Sequence, residues 1–182
     1  MNKRAILVIC LLLAAALLFC GIRFWLIPAG NVKEDEYEKR QNDALTHDIT
    51  TISEMKEIYL GDATAVTQLF CALPLRENRI TYAIYGEKGS LTVAYEAAVQ
   101  TLGEDDAIRR DLVYDSVAAM ACIDSLRRIE YRLDGAVYVF TREKVEAAFG
   151  APLSNLLEEE RWKPQVQDRL RDTDFVNSFF DS

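Results

Sequence analysis

One uninterrupted apolar run, Ala5 to Ile22, follows Lys3 and Arg4 at the start of the chain. Eighteen residues at about 1.5 Å each reach roughly 27 Å, and continuation through Arg23 to Ile27 gives roughly 34 Å, enough for a bilayer core of about 30 Å. Arg23 can snorkel to the interface, and Trp25 sits where interfacial aromatics gather. Pro28, Ala29 and Gly30 are expected to end the helix. The basic residues ahead of the run predict a cytoplasmic N-terminus and an extracytoplasmic remainder at the cell membrane. With four residues ahead of Ala5, any message inward would have to pass through another protein.

Two competing readings use the same run. A cleaved signal peptide has an apolar region of about 7 to 15 residues and a small-x-small site. Cutting after Ala16 would leave Leu17-Leu18-Phe19 at the new terminus, and cutting after Ala29 would need Ile27 at the outer recognition position. Lipidation at Cys20 would place Phe19 where a small residue is expected. A retained anchor over 1–28 is the reading adopted.

The first 30 residues carry three basic side chains and no acid, whereas the whole chain has a net charge of −8, so the rest carries −11. That balance argues against nucleic acid and against docking on anionic lipid headgroups, both of which need clustered Lys and Arg. Half the chain is apolar, which argues against disorder. Residues 29–50 read as a polar stalk, part of it helical, followed by a folded domain over 51–150 and a helical extension over 151–182.

Within the domain, Asp62 is placed to cap a helix from Ala63 to Leu73, with Val66, Leu69, Phe70 and Leu73 at helical spacing and Pro74 as its stop. Arg79 to Tyr85 and Leu91 to Tyr95 alternate as strands around Gly86-Glu87-Lys88-Gly89. A second helix reaches Arg127 with Val113, Val117, Met120 and Ile123 on one face. Ile129 to Leu133 and Ala136 to Thr141 then flank the hairpin signal Asp134-Gly135. The order helix, strand, strand occurs twice. It predicts an α+β fold: a four-stranded antiparallel sheet with helices on one face, plus a transmembrane helix and a C-terminal helical segment. Arg142 to Phe149 is expected as a short helix before Gly150 and Pro152.

The stretch Lys56 to Asp62, with Ala63, Val66 and Leu73-Pro74, resembles the opening signature of the DUF4825 family. Leu91, Val93 and Tyr95 are similar to its second strand, and Ala119 to Asp124 with Ile129 to its second helix, so the resemblance covers residues 54 to 150. The chain departs from the family pattern at Lys88-Gly89-Ser90, where Pro-Tyr-Gly is common. The resemblance implies a small extracytoplasmic domain of a bacterial membrane protein, in some members attached to signalling metallopeptidases, and it implies no activity. Read physically, the motif builds structure: Gly61 takes the turn, Asp62 caps the helix and Tyr59 staples the incoming chain.

Chemistry is sparse. His47 is the sole histidine, and nothing in its spacing sets it beside Cys71, Cys122 or a serine. No HExxH, phosphate loop or dinucleotide fingerprint occurs. Glu104, Asp105, Asp106, Asp111 and Asp115 form the densest acidic group, without the spacing of a calcium loop. Tyr82, Tyr85, Tyr95, Tyr131 and Tyr138 fall on strands as sheet residues. Two outer cysteines make no disulfide scaffold, and a Cys71–Cys122 bridge would require their helices to lie side by side.

The expectation is a tethered binding, sensor or protein-interaction module without catalysis, cofactor or metal, touching the bilayer through residues 5–27 and a membrane-protein partner through its domain. A tethered hydrolase with a cysteine nucleophile is the alternative from another class, and a structural subunit the third. Phe175, Phe179 and Phe180 form an apolar tail that either joins the core or docks on a partner.

Overall fold

The computed structural model describes residues 27–76, 79–95, 106–133, 136–150 and 152–180. The chain divides into two compact units, Met1–Lys39 and Arg40–Ser182. Of the first unit, the described part belongs to helix α1, Ile27–Gln41. This helix runs through Pro28 and Gly30, which were expected to stop one. Proline is tolerated in a first turn because its missing N–H has no helical partner there. Among the described residues no helix is long and apolar enough to cross a membrane. The expected anchor, but for Ile27 and Pro28, lies outside them, as do Glu104, Asp105, Asp134 and Gly135.

The second unit is an α+β fold around a four-stranded mixed sheet. Its order is α2 (Thr50–Ser53), α3 (Ala63–Ala72), β1 (Arg79–Tyr85), β2 (Ser90–Tyr95), α4 (Asp106–Cys122), β3 (Arg128–Leu133), β4 (Ala136–Thr141) and α5 (Arg142–Phe149). A C-terminal segment follows: a 3-10 turn at Leu153–Leu156, α6 (Glu159–Trp162) leading into a π turn at Lys163–Gln167, a 3-10 turn at Arg169–Arg171, and α7 (Thr173–Asn177).

The strands lie in chain order, β1-β2-β3-β4. The outer pairs are antiparallel, but β2 and β3 are parallel, with Ser90 opposite Arg128 and Ala94 opposite Arg132. The expectation of a wholly antiparallel sheet is therefore corrected at its centre. Two hairpins joined by a helix bring the third strand beside the second only after the chain has returned along α4, and such a crossover makes the pair parallel.

Alternation along the strands gives the sheet two unlike faces. Leu91, Val93, Tyr95, Ile129, Tyr131, Leu133 and Phe140 are buried on one, while Tyr85, Arg128, Arg132 and Val137 are exposed on the other. Against the buried face lies α4, in which every residue from Asp111 to Cys122 is buried. A helix enclosed on all sides loses the one-sided stripe that the Val113, Val117, Met120 and Ile123 reading described.

The core extends beyond the expected domain at both ends. Ala44, His47 and Ile49 are buried in the unit that begins at Arg40, so the polar tract 29–50 contributes its last residues to the fold. At the other end Leu153, Leu156, Leu157, Trp162, Val166, Leu170, Val176 and Phe179 join the same core.

Candidate functional site

A cleft of about 600 Å³ opens between residues 47–49 and the C-terminal segment, lined by His47, Asp48, Ile49, Glu159, Glu160, Lys163, Pro164 and Gln167. One wall is the π turn, in which Pro164 stands near the start of Lys163–Gln167. Proline has no N–H to give a regular helix ladder, and widened turns of this kind recur at functional sites. The turn sends Gln167 inward, where its Nε2 donates to the carbonyls of Ala44 at 2.9 Å and His47 at 2.8 Å. Asp48 accepts from the backbone N–H of Thr50 at 2.9 Å and from its hydroxyl, which holds its carboxyl below the ordinary value.

His47 lies at the floor, 4% exposed. Its Nε2 stands 2.8 Å from the Ala72 carbonyl, and because a carbonyl can only accept, Nε2 carries the proton. Nδ1 therefore accepts the Tyr114 hydroxyl proton at 2.8 Å, and the Tyr114 oxygen accepts from Trp162 Nε1 at 3.0 Å. Three aromatic residues thus form one directional chain ending on α3, with edge-on ring contacts of 5.3 Å from Tyr114 to each neighbour. Burial depresses the His47 pKa below 6.5, offset in part by the Ala72 bond and by Asp48, and reinforced by Arg76. Burial likewise pushes the Tyr114 hydroxyl well above its usual range, so it remains a donor. With both ring nitrogens occupied, His47 is not placed to act as a general base.

The residues singled out in the sequence do not converge here. Asp62 caps α3, accepting from Thr64 N and Ala65 N at 3.0 Å each. Val66, Leu73, Leu91, Val93 and Tyr95 are core residues, and Pro74 is buried at the end of α3. Tyr59 is corrected: it is 74% exposed and staples nothing to the core. Its ring folds back over Gly61, where an added Cβ would lie 2.4 Å from Tyr59 Cε1.

The phenylalanine tail, one of the candidate docking groups, is taken up by the chain's own fold. Phe179 is buried, its ring centroid 6.2 Å from that of Phe140, and Phe180 meets Tyr138 edge-on at 5.2 Å. Phe175 packs on Phe149 at 5.5 Å and carries the Arg169 guanidinium 4.3 Å above its ring. Exposed apolar tails at a terminus are usually tied down in this way.

The thiols stay apart: Cys71 is free and exposed, Cys122 free and buried. Cys122 ends the enclosed α4 and points its Sγ at the Ile52 carbonyl, 3.6 Å away. Burial pushes this thiol up to about 12, which withholds the thiolate that nucleophilic attack requires. Among the described residues no three His, Cys, Asp or Glu side chains gather where they could hold a metal ion. Asp111 instead accepts the Ala44 N–H at 2.9 Å.

Sequence reasoning missed the cleft and the buried network. The available signal was the polar triplet Thr46-His47-Asp48 placed ahead of the apolar Ile49 and Ile52. Comparison of the chain with protein-family models, with curated proteins and with solved structures finds no match in any of the three.

Proposed function

We propose that this chain is a membrane-anchored extracytoplasmic binding or protein-interaction module of the DUF4825 type, without catalysis of its own. Residues 5–27 would span the bilayer and Arg40–Ser182 would present the cleft to a membrane-protein partner. The observation that carries this reading is the cleft itself: a concavity of about 600 Å³ edged by charged side chains, whose histidine has both ring nitrogens occupied by structural bonds. Its rim offers Asp48, Glu159 and Glu160 against a single Lys163, a predominantly acidic surface suited to a basic segment. Burial of the Cys122 thiol argues against a hydrolase built on that residue, whereas Cys71 is exposed.

Crosslinking of the full-length chain in its native membrane, followed by identification of what co-purifies, tests the proposal. A partner captured by the wild type and lost from the Glu159→Lys, Glu160→Lys double variant is the expected result. Equal capture by both, or by a chain carrying the first 50 residues alone, would sink it.

A further inference from the structure

We propose that His47 is an acid-sensitive latch: protonation of this one ring releases residues 43–49 from α4 and from the C-terminal segment. The proposal stands whether or not the cleft takes a partner.

Groups from three elements hold that segment: side chains of α4 and of the π turn, and a backbone carbonyl of α3. Asp111 of α4 accepts the Ala44 N–H, Gln167 of the π turn donates to the Ala44 and His47 carbonyls, and the His47 ring bridges the Ala72 carbonyl and Tyr114. In the neutral ring every donor has an acceptor along the line Trp162 to Tyr114 to His47 to Ala72. A second ring proton has to go on Nδ1, which changes that atom from acceptor to donor. The Tyr114 oxygen would then face two donors, Nδ1–H and Trp162 Nε1–H. Its own proton would have no acceptor among the described bonds of this fully buried residue. A buried donor left without an acceptor, together with a charge in a ring 4% exposed, makes the latched state costly once protonated. Releasing the segment returns both groups to water.

The cleft gives solvent a route to the ring, which lies at its floor. The charged groups around His47 come from each side: Asp48 beside it, Arg76 after α3, and Glu159, Glu160 and Lys163 across the cleft, while Asp111 and Asp115 of α4 bear on its partner Tyr114. Asp48 favours the imidazolium and Arg76 opposes it, but burial outweighs both. The segment follows α1 directly, so its release frees the stretch through which the chain enters the folded unit.

Amide hydrogen exchange of the full-length chain in detergent micelles, corrected for intrinsic rates and compared at about pH 7.5 and about pH 5, reads the latch. Protection over 43–49 is expected to fall at least about tenfold relative to 112–122 of α4, and His47→Gln to remove that difference. Because the chain has one histidine, a carbon-labelled imidazole gives a single NMR titration, expected to lie below 6.5. A ring titrating at or above that value overturns the proposal, as does 43–49 protection that keeps pace with α4. Full pH dependence retained in His47→Gln would move the sensor to a carboxylate and also overturn it. Should His47→Gln fail to fold, the wild-type titration and exchange decide alone.

Discussion

Arg142 is the side chain that, among the described residues, gathers three backbone carbonyls at once. It is buried at the start of α5, and its guanidinium donates to the carbonyls of Met120 at 2.5 Å, Ile123 at 2.8 Å and Leu126 at 2.9 Å, while Nη1 meets Glu146 at 3.0 Å. Those carbonyls lie at and just beyond the C-terminus of α4, where helical partners run out and a cation is favoured. Arg142→Met is expected to destabilise the domain by about 3 kcal/mol in urea unfolding, and Arg142→Lys to restore only part because an ammonium lacks the planar fork. Two glycines, Gly61 ahead of α3 and Gly89 ahead of β2, separate in the same assay. At Gly89 φ is +60° and an added Cβ would meet the Ser125 carbonyl at 2.6 Å, so Gly89→Ala is expected to cost about 2 kcal/mol. At Gly61 the obstacle is the end of an exposed tyrosine that can swing away, so Gly61→Ala should cost less than about 1 kcal/mol. The motif glycine was legible in the sequence. The demanding one is legible only in the fold, because its constraint comes from a backbone 36 residues further on.

At the scale of elements, α4 organises the unit. It carries the crossover that makes β2 and β3 parallel, receives the 3-10 turn and α7 of the C-terminal segment, and supplies Tyr114 and Asp111 to the latch. Its alternation of polar and apolar residues read as one buried stripe, since Asp111, Asp115 and Ser116 look solvent-facing until their partners are known. Ser116 donates to Leu112 O one turn back at 2.8 Å and also lies 3.2 Å from the Tyr131 hydroxyl, a contact that no local pattern contains. The C-terminal segment is an integral wall and not an appendage. Phe179→Ala is expected to cost about 3 kcal/mol, with a lower urea midpoint and increased binding of a hydrophobic dye, because it opens a cavity against Phe140 and Phe149. A variant as stable as wild type would return the tail to the role of a docking element.

Two predictions belong to the whole molecule. Alkylation mapped by mass spectrometry should modify Cys71 at least about 100-fold faster than Cys122, because the latter reacts only after the core opens. Stability should also fall on acidification. The His47 ring has a lower pKa folded than unfolded, so its contribution is fully present above 6.5 and is lost as the pH falls from there through the folded value. The urea midpoint should therefore drop between about pH 7 and about pH 5 in the wild type and drop less in His47→Gln. By itself the sequence determined the local elements: the Asp62 cap, the alternating strands, the order of helices and strands, and the apolar run at its head. These follow from spacing and from contacts within a few residues. Tertiary structure decided the parallel centre of the sheet, the enclosure of α4, the absorption of the phenylalanine tail and the joining of His47, Tyr114, Trp162 and Gln167 into one network. These last pair residues as many as 120 positions apart, and such contacts leave no period in the chain.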